Sequence, residues 1–189
     1  RMKLLLGSNS PRRNELLSQL GYSFTKVKIE CDEDFSSAIP VEDVAGFLAR
    51  KKSLAYDSLG DDEILITADT VVIAEKTILN KPTDQEEARS MLTMLSGKSH
   101  LVQTGVCIRS LSKGESVETS TTRVTVKELT LEEIDFYIET YKPYDKAGAY
   151  GIQEWFGLAC VTSLSGSYYN VVGLPTDILF KRLKNDYGL

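Results

Sequence analysis

Between Ile64 and Ile73 the chain reads Ile-Leu-Ile-Thr-Ala-Asp-Thr-Val-Val-Ile, and this run restricts the fold more than any other. A continuous β-branched segment of this length reads as a buried strand. It is interrupted by Thr67, Asp69 and Thr70. A carboxylate in such surroundings costs several kcal/mol unless a cation or hydrogen bonds compensate it, so Asp69 requires a partner. A strand-end aspartate that accepts backbone N–H bonds is one solution. A functional carboxylate is the favoured one, because ligands in α/β sheets gather where strands end.

Start and stop signals fill in the other elements. Lys3–Leu6 is a short buried strand and Gly7 to Asn9 a tight turn. Ser10 is the N-cap, Pro11 the first helical residue, and Leu16, Leu17 and Leu20 the apolar stripe, closed by Gly21. Ser23 to Ile29 can form a strand, followed by the acidic loop Cys31-Asp32-Glu33-Asp34. A long helix is expected over Val41 to Leu59, with Lys52 within its apolar face. Thr83-Asp84-Gln85-Glu86 reads as a capping box for a helix to about Leu95, and Thr130 to Glu133 as a second, with a stripe of Leu131, Ile134, Ile138 and Tyr141. Between them, Ser99 to Arg109 and Val117 to Lys127 suggest a hairpin. Strands are expected near Leu158 to Leu164 and Tyr168 to Val172, and a last helix from Pro175. No repeat or linker divides the 189 residues, so the expectation is one domain of mixed α/β (α+β) class with a bent mixed sheet.

Composition excludes several functions. A net charge of −5 argues against a nucleic-acid backbone binder. Cys31, Cys107 and Cys160 lack disulfide or metal-ligand spacing and read as reduced thiols of a cytoplasmic protein. His100 is the only histidine, which removes Ser-His-Asp triads and histidine metal clusters and leaves carboxylates for any hard cation. No signal peptide or membrane span is read.

Local basic residues therefore carry the interest. Arg12 and Arg13 fall in the first turn of a helix, where the helix end is already positive. A bound phosphate would use both the free N–H groups and a guanidinium, while solvated arginines are the plain alternative. Lys52 can snorkel to water, Lys81 before Pro82 projects from a loop, and Glu33 reads locally as a solvated loop glutamate. Lys146 adjoins a loop in which Gly148 and Gly151 allow close backbone approach. Gln153 ends that loop with a donor and an acceptor that suit the edge of uracil or thymine.

The chain resembles the Maf family of nucleotide pyrophosphatases from Leu4 to the final helix. The resemblance rests on Ser8-Asn9-Ser10-Pro11-Arg12-Arg13, Arg50-Lys51-Lys52, Ala68-Asp69-Thr70-Val71, Lys81-Pro82, Ser96-Gly97 with His100, Asp145 to Gln153, and Gly166-Ser167-Tyr168 with Val172-Gly173-Leu174-Pro175. It implies a single domain over residues 2–189 with an inosine-triphosphatase-like fold, two lobes and a deep cleft. It also implies metal-dependent hydrolysis of nucleoside triphosphates to monophosphate and pyrophosphate. By position, Asp69 matches the proton acceptor, Glu33 with Asp69 the carboxylates at Mg2+ or Mn2+, and Ser8, Arg13, Lys52 and Lys81 the residues around the triphosphate. Arg12, Thr70 and Gln153 match the positions that separate subgroups, and here resemble the dTTP/UTP branch. The implied substrates are dTTP and UTP, or modified pyrimidine nucleotides, with no nucleic-acid or membrane partner and a homodimer left open. A second reading is a nucleotide-binding regulator of cell division and septum formation with little turnover. Two departures stand out: Lys142 precedes Pro143 where the family often has Glu, and Glu154-Trp155-Phe156 replaces a commonly glycine-containing continuation. The bulky Trp155 is expected to pack in core or an interface.

Overall fold

Ser10 caps the first helix as its sequence predicts: its hydroxyl accepts from Arg13 N, and Pro11 opens α1 (Pro11–Gln19), with Leu16 and Leu17 buried. The helix connects β1 (Lys3–Leu6) to β2 (Phe24–Lys26), and β1 lies parallel both to β2 and to β3 (Glu63–Ala74). A computed structural model describes residues 1–189. β2 is shorter than the expected Ser23 to Ile29 because its partner runs out: β1 ends at Leu6, whose carbonyl takes a last bond from Val27 N.

β4 (Thr77–Leu79) pairs antiparallel with β3. It is followed by α3 (Gln85–Leu95), the hairpin of β5 (Ser99–Ser110) and β6 (Gly114–Val126), α4 (Leu131–Tyr141), α5 (Trp155–Cys160), β7 (Val161–Ser165), α6 (Tyr168–Val172) and α7 (Thr176–Tyr187). The seven strands hydrogen-bond in the order β2-β1-β3-β5-β6-β7, with β4 on β3. Parallel and antiparallel pairs together make the mixed α/β sheet expected from sequence.

The chain forms two compact units, and β3, β5 and β6 each contribute a stretch to both. The first unit comprises Arg1–Asp69, Thr104–Ser120 and Gly173–Leu189. Its core joins Leu4, Leu5, Leu6, Leu17, Ile64, Leu65 and Ile66 of the strands and α1 to Leu48 and to Leu179 and Leu183 of α7, all nearly or fully buried. Helix α2 (Val44–Leu54), led in by a 3-10 turn at Val41–Asp43, lies directly on β5: a Cβ at Gly105 would come within 2.6 Å of the Ala45 and Gly46 backbone. Only glycine allows that approach. The helix stops at Leu54 rather than Leu59 because Arg109 of β5 donates from Nη2 to the carbonyls of Ser53 at 2.6 Å and Tyr56 at 2.7 Å, and from Nε to Ser53 Oγ. The guanidinium takes carbonyls that a continuing helix would have used.

The second unit comprises Thr70–Gln103 and Thr121–Val172. Its core holds Val72, Ile73, Leu92, Leu95, Ile134, Tyr137, Ile138, Tyr150 and Phe156. The capping box at Thr130 and Glu133 forms as predicted. The buried stripe of α4 is shifted, however: Tyr137 is fully buried, whereas Leu131 is exposed and Tyr141 half-buried. Asp84, not Thr83, caps α3, accepting from Glu87 N while Thr83 Oγ1 bonds the Glu87 carboxylate.

Of the two last expected strands, the one near Leu158 to Leu164 forms in its second part and the other is a helix. Residues 155–160 coil as α5, leaving only Val161–Ser165 as β7. Tyr168–Val172 coils as α6, because Ser167 Oγ accepts from Asn170 N and the buried Asn170 amide donates to Val102 O and Thr122 Oγ1. Those bonds outweigh the β propensity of Tyr and Val. Trp155 packs, as expected, against Phe136 and Tyr137.

Candidate active site

Three elements of the first unit bring the predicted charges together. β3 delivers Asp69, which is 5% exposed. The last turn of α2 delivers Lys52, whose Nζ donates to Asp69 Oδ1 at 2.7 Å and Ala68 O at 3.2 Å. The loop after β2 delivers Glu33, exposed, with its Oε1 3.8 Å from the same ammonium. Asp69 thus has the partner that its burial demands. Lys52 does not snorkel into water, and Glu33 is more than a solvated loop residue.

The placement of Lys52 is enforced from both sides of α2. Thr67 Oγ1 of β3 donates to Ala49 O at 2.7 Å inside the helix, and Arg109 holds its end. Neighbouring Lys51 pairs instead with Asp32 at 2.6 Å and with the Asp34 carbonyl, which ties the acidic loop to the same turn. Arg50 pairs with Glu115.

Arg13 completes the group. Its Nε donates to Gly173 O at 2.7 Å, which joins the first and last of the sequence motifs within one unit. Asp69 and Glu33 act on it as nearby negative charges and Arg12 as a positive one. Burial pulls the Arg13 guanidinium below its ordinary value, and the Asp69 carboxylate opposes that shift. Burial likewise raises Asp69 above the usual carboxylate range, with Lys52 and Arg13 holding it back and Glu33 adding to the rise. The outcome is a carboxylate more basic than a free aspartate, surrounded by cations. Ser8 braces the turn: its Oγ accepts from Ser10 N and its carbonyl from Asn14 Nδ2.

The second unit carries the remaining predicted residues: Thr70 on β3, half-buried; Lys81, exposed, in the loop after β4; and Gln153, exposed, just before α5. The Lys81 loop is fixed where Gly148 N donates to Asn80 O. Gly148 has φ +70°, and a Cβ there would lie 2.9 Å from Val72. Lys142 caps α4 in left-handed conformation and is exposed.

A buried network that sequence reasoning missed supports the loop leading to Gln153. Tyr137 Oη donates to Glu154 Oε1 at 2.5 Å and accepts from Gly151 N at 2.9 Å. Lys146 Nζ lies 3.7 Å from Glu154 Oε2 and 3.0 Å from Asp145 Oδ1. Burial first, and then the Glu154 bond, raises the Tyr137 phenol well above its ordinary value, so it remains a neutral donor. The available signal was the spacing of Tyr137 three after Ile134. Nearby, His100 Nε2 and Tyr150 Oη lie 2.6 Å apart, both residues buried.

Comparison with known proteins identifies a family and close relatives. The Maf-like protein family matches residues 3–186. A dTTP/UTP pyrophosphatase of Porphyromonas gingivalis is 50% identical over 190 residues, covering 98% of this chain and 94% of that protein. Proteins of the same name from Phocaeicola vulgatus and Flavobacterium psychrophilum are 46% and 41% identical over 184 residues, covering 96% and 97% of this chain and 95% and 94% of theirs. With that extent of identity, and a family match over residues 3–186, the chain belongs to the Maf-like protein family.

Proposed function

We propose that this protein hydrolyses dTTP and UTP to the monophosphate and pyrophosphate. The observation that carries the reading is the convergence of a buried, raised-pKa carboxylate, Asp69, with Lys52, Arg13 and Glu33. The relatives' shared name supplies the nucleotide. A pure phosphate binder gains nothing from two carboxylates near a polyanion unless a cation lies between them. That favours hydrolysis over a nucleotide-sensing regulator with little turnover.

No group of three or more His, Cys, Asp or Glu side chains is arranged to hold a metal ion by itself. The carboxylates of Asp69 and Glu33, both facing Lys52 Nζ, suit an ion that takes its other oxygens from phosphate and water, which is how Mg2+ is usually held. Glu33 and Asp69 would hold Mg2+ or Mn2+, and the bound ion supplies charge neutralisation on the phosphates and acidification of water.

The chain's own residues do the rest. Asp69 accepts the proton of the attacking water. The water attacks the α-phosphorus in line and pyrophosphate leaves. Arg13 presents its guanidinium from a fixed position, since Gly173 O holds its Nε. Ser8, Lys52 and Lys81 contribute further contacts to the triphosphate. Catalysis of this kind is mainly positioning and charge. Gln153 reads the pyrimidine edge through its amide donor and acceptor, with Arg12 and Thr70 setting the branch.

A nucleotide panel tests the reading. With Mg2+, pyrophosphate and monophosphate are scored for dTTP, UTP, CTP, GTP and 7-methyl-GTP. Pyrophosphate from dTTP and UTP above the others is expected. Release of orthophosphate, or tight binding of dTTP without turnover, overturns it.

A further inference from the structure

Lys52 Nζ is surrounded by oxygen: Asp69 Oδ1 at 2.7 Å, Ala68 O at 3.2 Å and Glu33 Oε1 at 3.8 Å. Two carboxylates and a peptide carbonyl form an all-oxygen set of the kind that hard divalent cations take. A lysine ammonium is the side-chain counterpart of such an ion, a compact point charge with strong hydration. We propose that Lys52 Nζ is the resting occupant of the divalent-cation position, and that the ion and the ammonium exchange. The metal takes the oxygens of Asp69, Glu33 and Ala68 as Lys52 swings away to the anionic substrate.

Three features support exchange over joint occupancy. Asp69 is nearly buried, so it needs a countercharge when no ion is present. An ammonium and a divalent ion on the same oxygens would repel strongly at such separations. Lys52 is free to swing only along its side chain, because Thr67 and Arg109 pin its helix, whereas Arg13 is tied to Gly173 O. The identity of the anion rests on the pyrophosphatase reading. The exchange itself does not.

The test uses nucleotide-free protein at mildly alkaline pH, with Mn2+ binding read by electron paramagnetic resonance. Lys52→Met is expected to bind Mn2+ about tenfold more tightly than the native chain. The double variant Lys52→Met/Asp69→Asn is expected to lose that gain. Arg13→Met removes an equal charge from the same surroundings and is expected to change affinity only slightly. An unchanged or weaker affinity in Lys52→Met overturns the proposal, as does an equal gain in Arg13→Met, which would reduce the effect to net charge. Thermal melting gives a second readout. Lys52→Met should melt below the native protein in EDTA and recover most of the loss with Mg2+, but not with NaCl of matched ionic strength. Failure of Mg2+ to restore it overturns the exchange. None of these measurements contains nucleotide, so absence of dTTP hydrolysis would remove the proposed function and leave the exchange standing.

Discussion

The two units handle buried polarity in opposite ways. In the first, Asp69, Lys52 and Arg13 are charges that compensate one another while remaining within reach of exposed Glu33. In the second, Tyr137 and the His100–Tyr150 pair are neutral hydroxyls and an imidazole sealed into the core, with charge only at the margin in Glu154 and Lys146. Charges that can be re-paired suit chemistry on a polyanion. Neutral groups with fixed partners suit the holding of a loop. Under the proposed function, the contrast separates residues that act from residues that position.

The largest effect should come from the acting set. Asp69→Asn keeps the shape but removes the proposed proton acceptor, and kcat for pyrophosphate release from dTTP should fall by about 10³-fold. Turnover within a few-fold of native would dissolve the distinction between the regions.

The sealed set should show itself in stability instead. Burial pulls the His100 pKa down to about 4, so the folded state keeps the ring neutral while the unfolded chain protonates it near its ordinary 6.5. The unfolded state thus binds the extra proton, and stability should fall as pH drops from about 6.5 towards 4, by about 3 kcal/mol in all. Urea unfolding across that range checks the slope, which His100→Gln should flatten. Tyr137→Phe leaves Gly151 N and the Glu154 carboxylate short of a partner, and should cost about 2 kcal/mol by the same measurement. The smallest effect belongs to neither set. Lys98→Ala breaks an exposed pair with Glu75 and should shift stability by about 0.5 kcal/mol or less.

What the sequence made legible follows from how local each determinant is. Ser10, Pro11 and the Thr130 to Glu133 box act within one helical turn, and those helix starts are where the residues put them. The β3 run and its embedded Asp69 were equally readable, because apolar length and a misplaced carboxylate are visible without a partner. The partner was not visible. That Lys52 rather than a backbone N–H meets Asp69 depends on α2 lying against Gly105, a contact from a distant strand. The early end of α2 depends on Arg109, and the helical turn at Tyr168 depends on where Asn170 finds Val102 and Thr122. Each is a tertiary bond that overrides local preference. The Glu154 network escaped for the same reason: its center is a tyrosine hydroxyl whose burial is set by packing around Phe156 and Trp155.

The clamp of Arg109 on the end of α2 has a kinetic consequence. With the Ser53 and Tyr56 carbonyls engaged, the final turn is held against fraying, which keeps the backbone under Lys52 in place. Any departure of the ammonium from Asp69 is then a matter of side-chain torsions, which change on far shorter timescales than loop or domain rearrangements. Opening of the Lys52–Asp69 pair then needs no backbone rearrangement, and Arg109 confines that step to the Lys52 side chain.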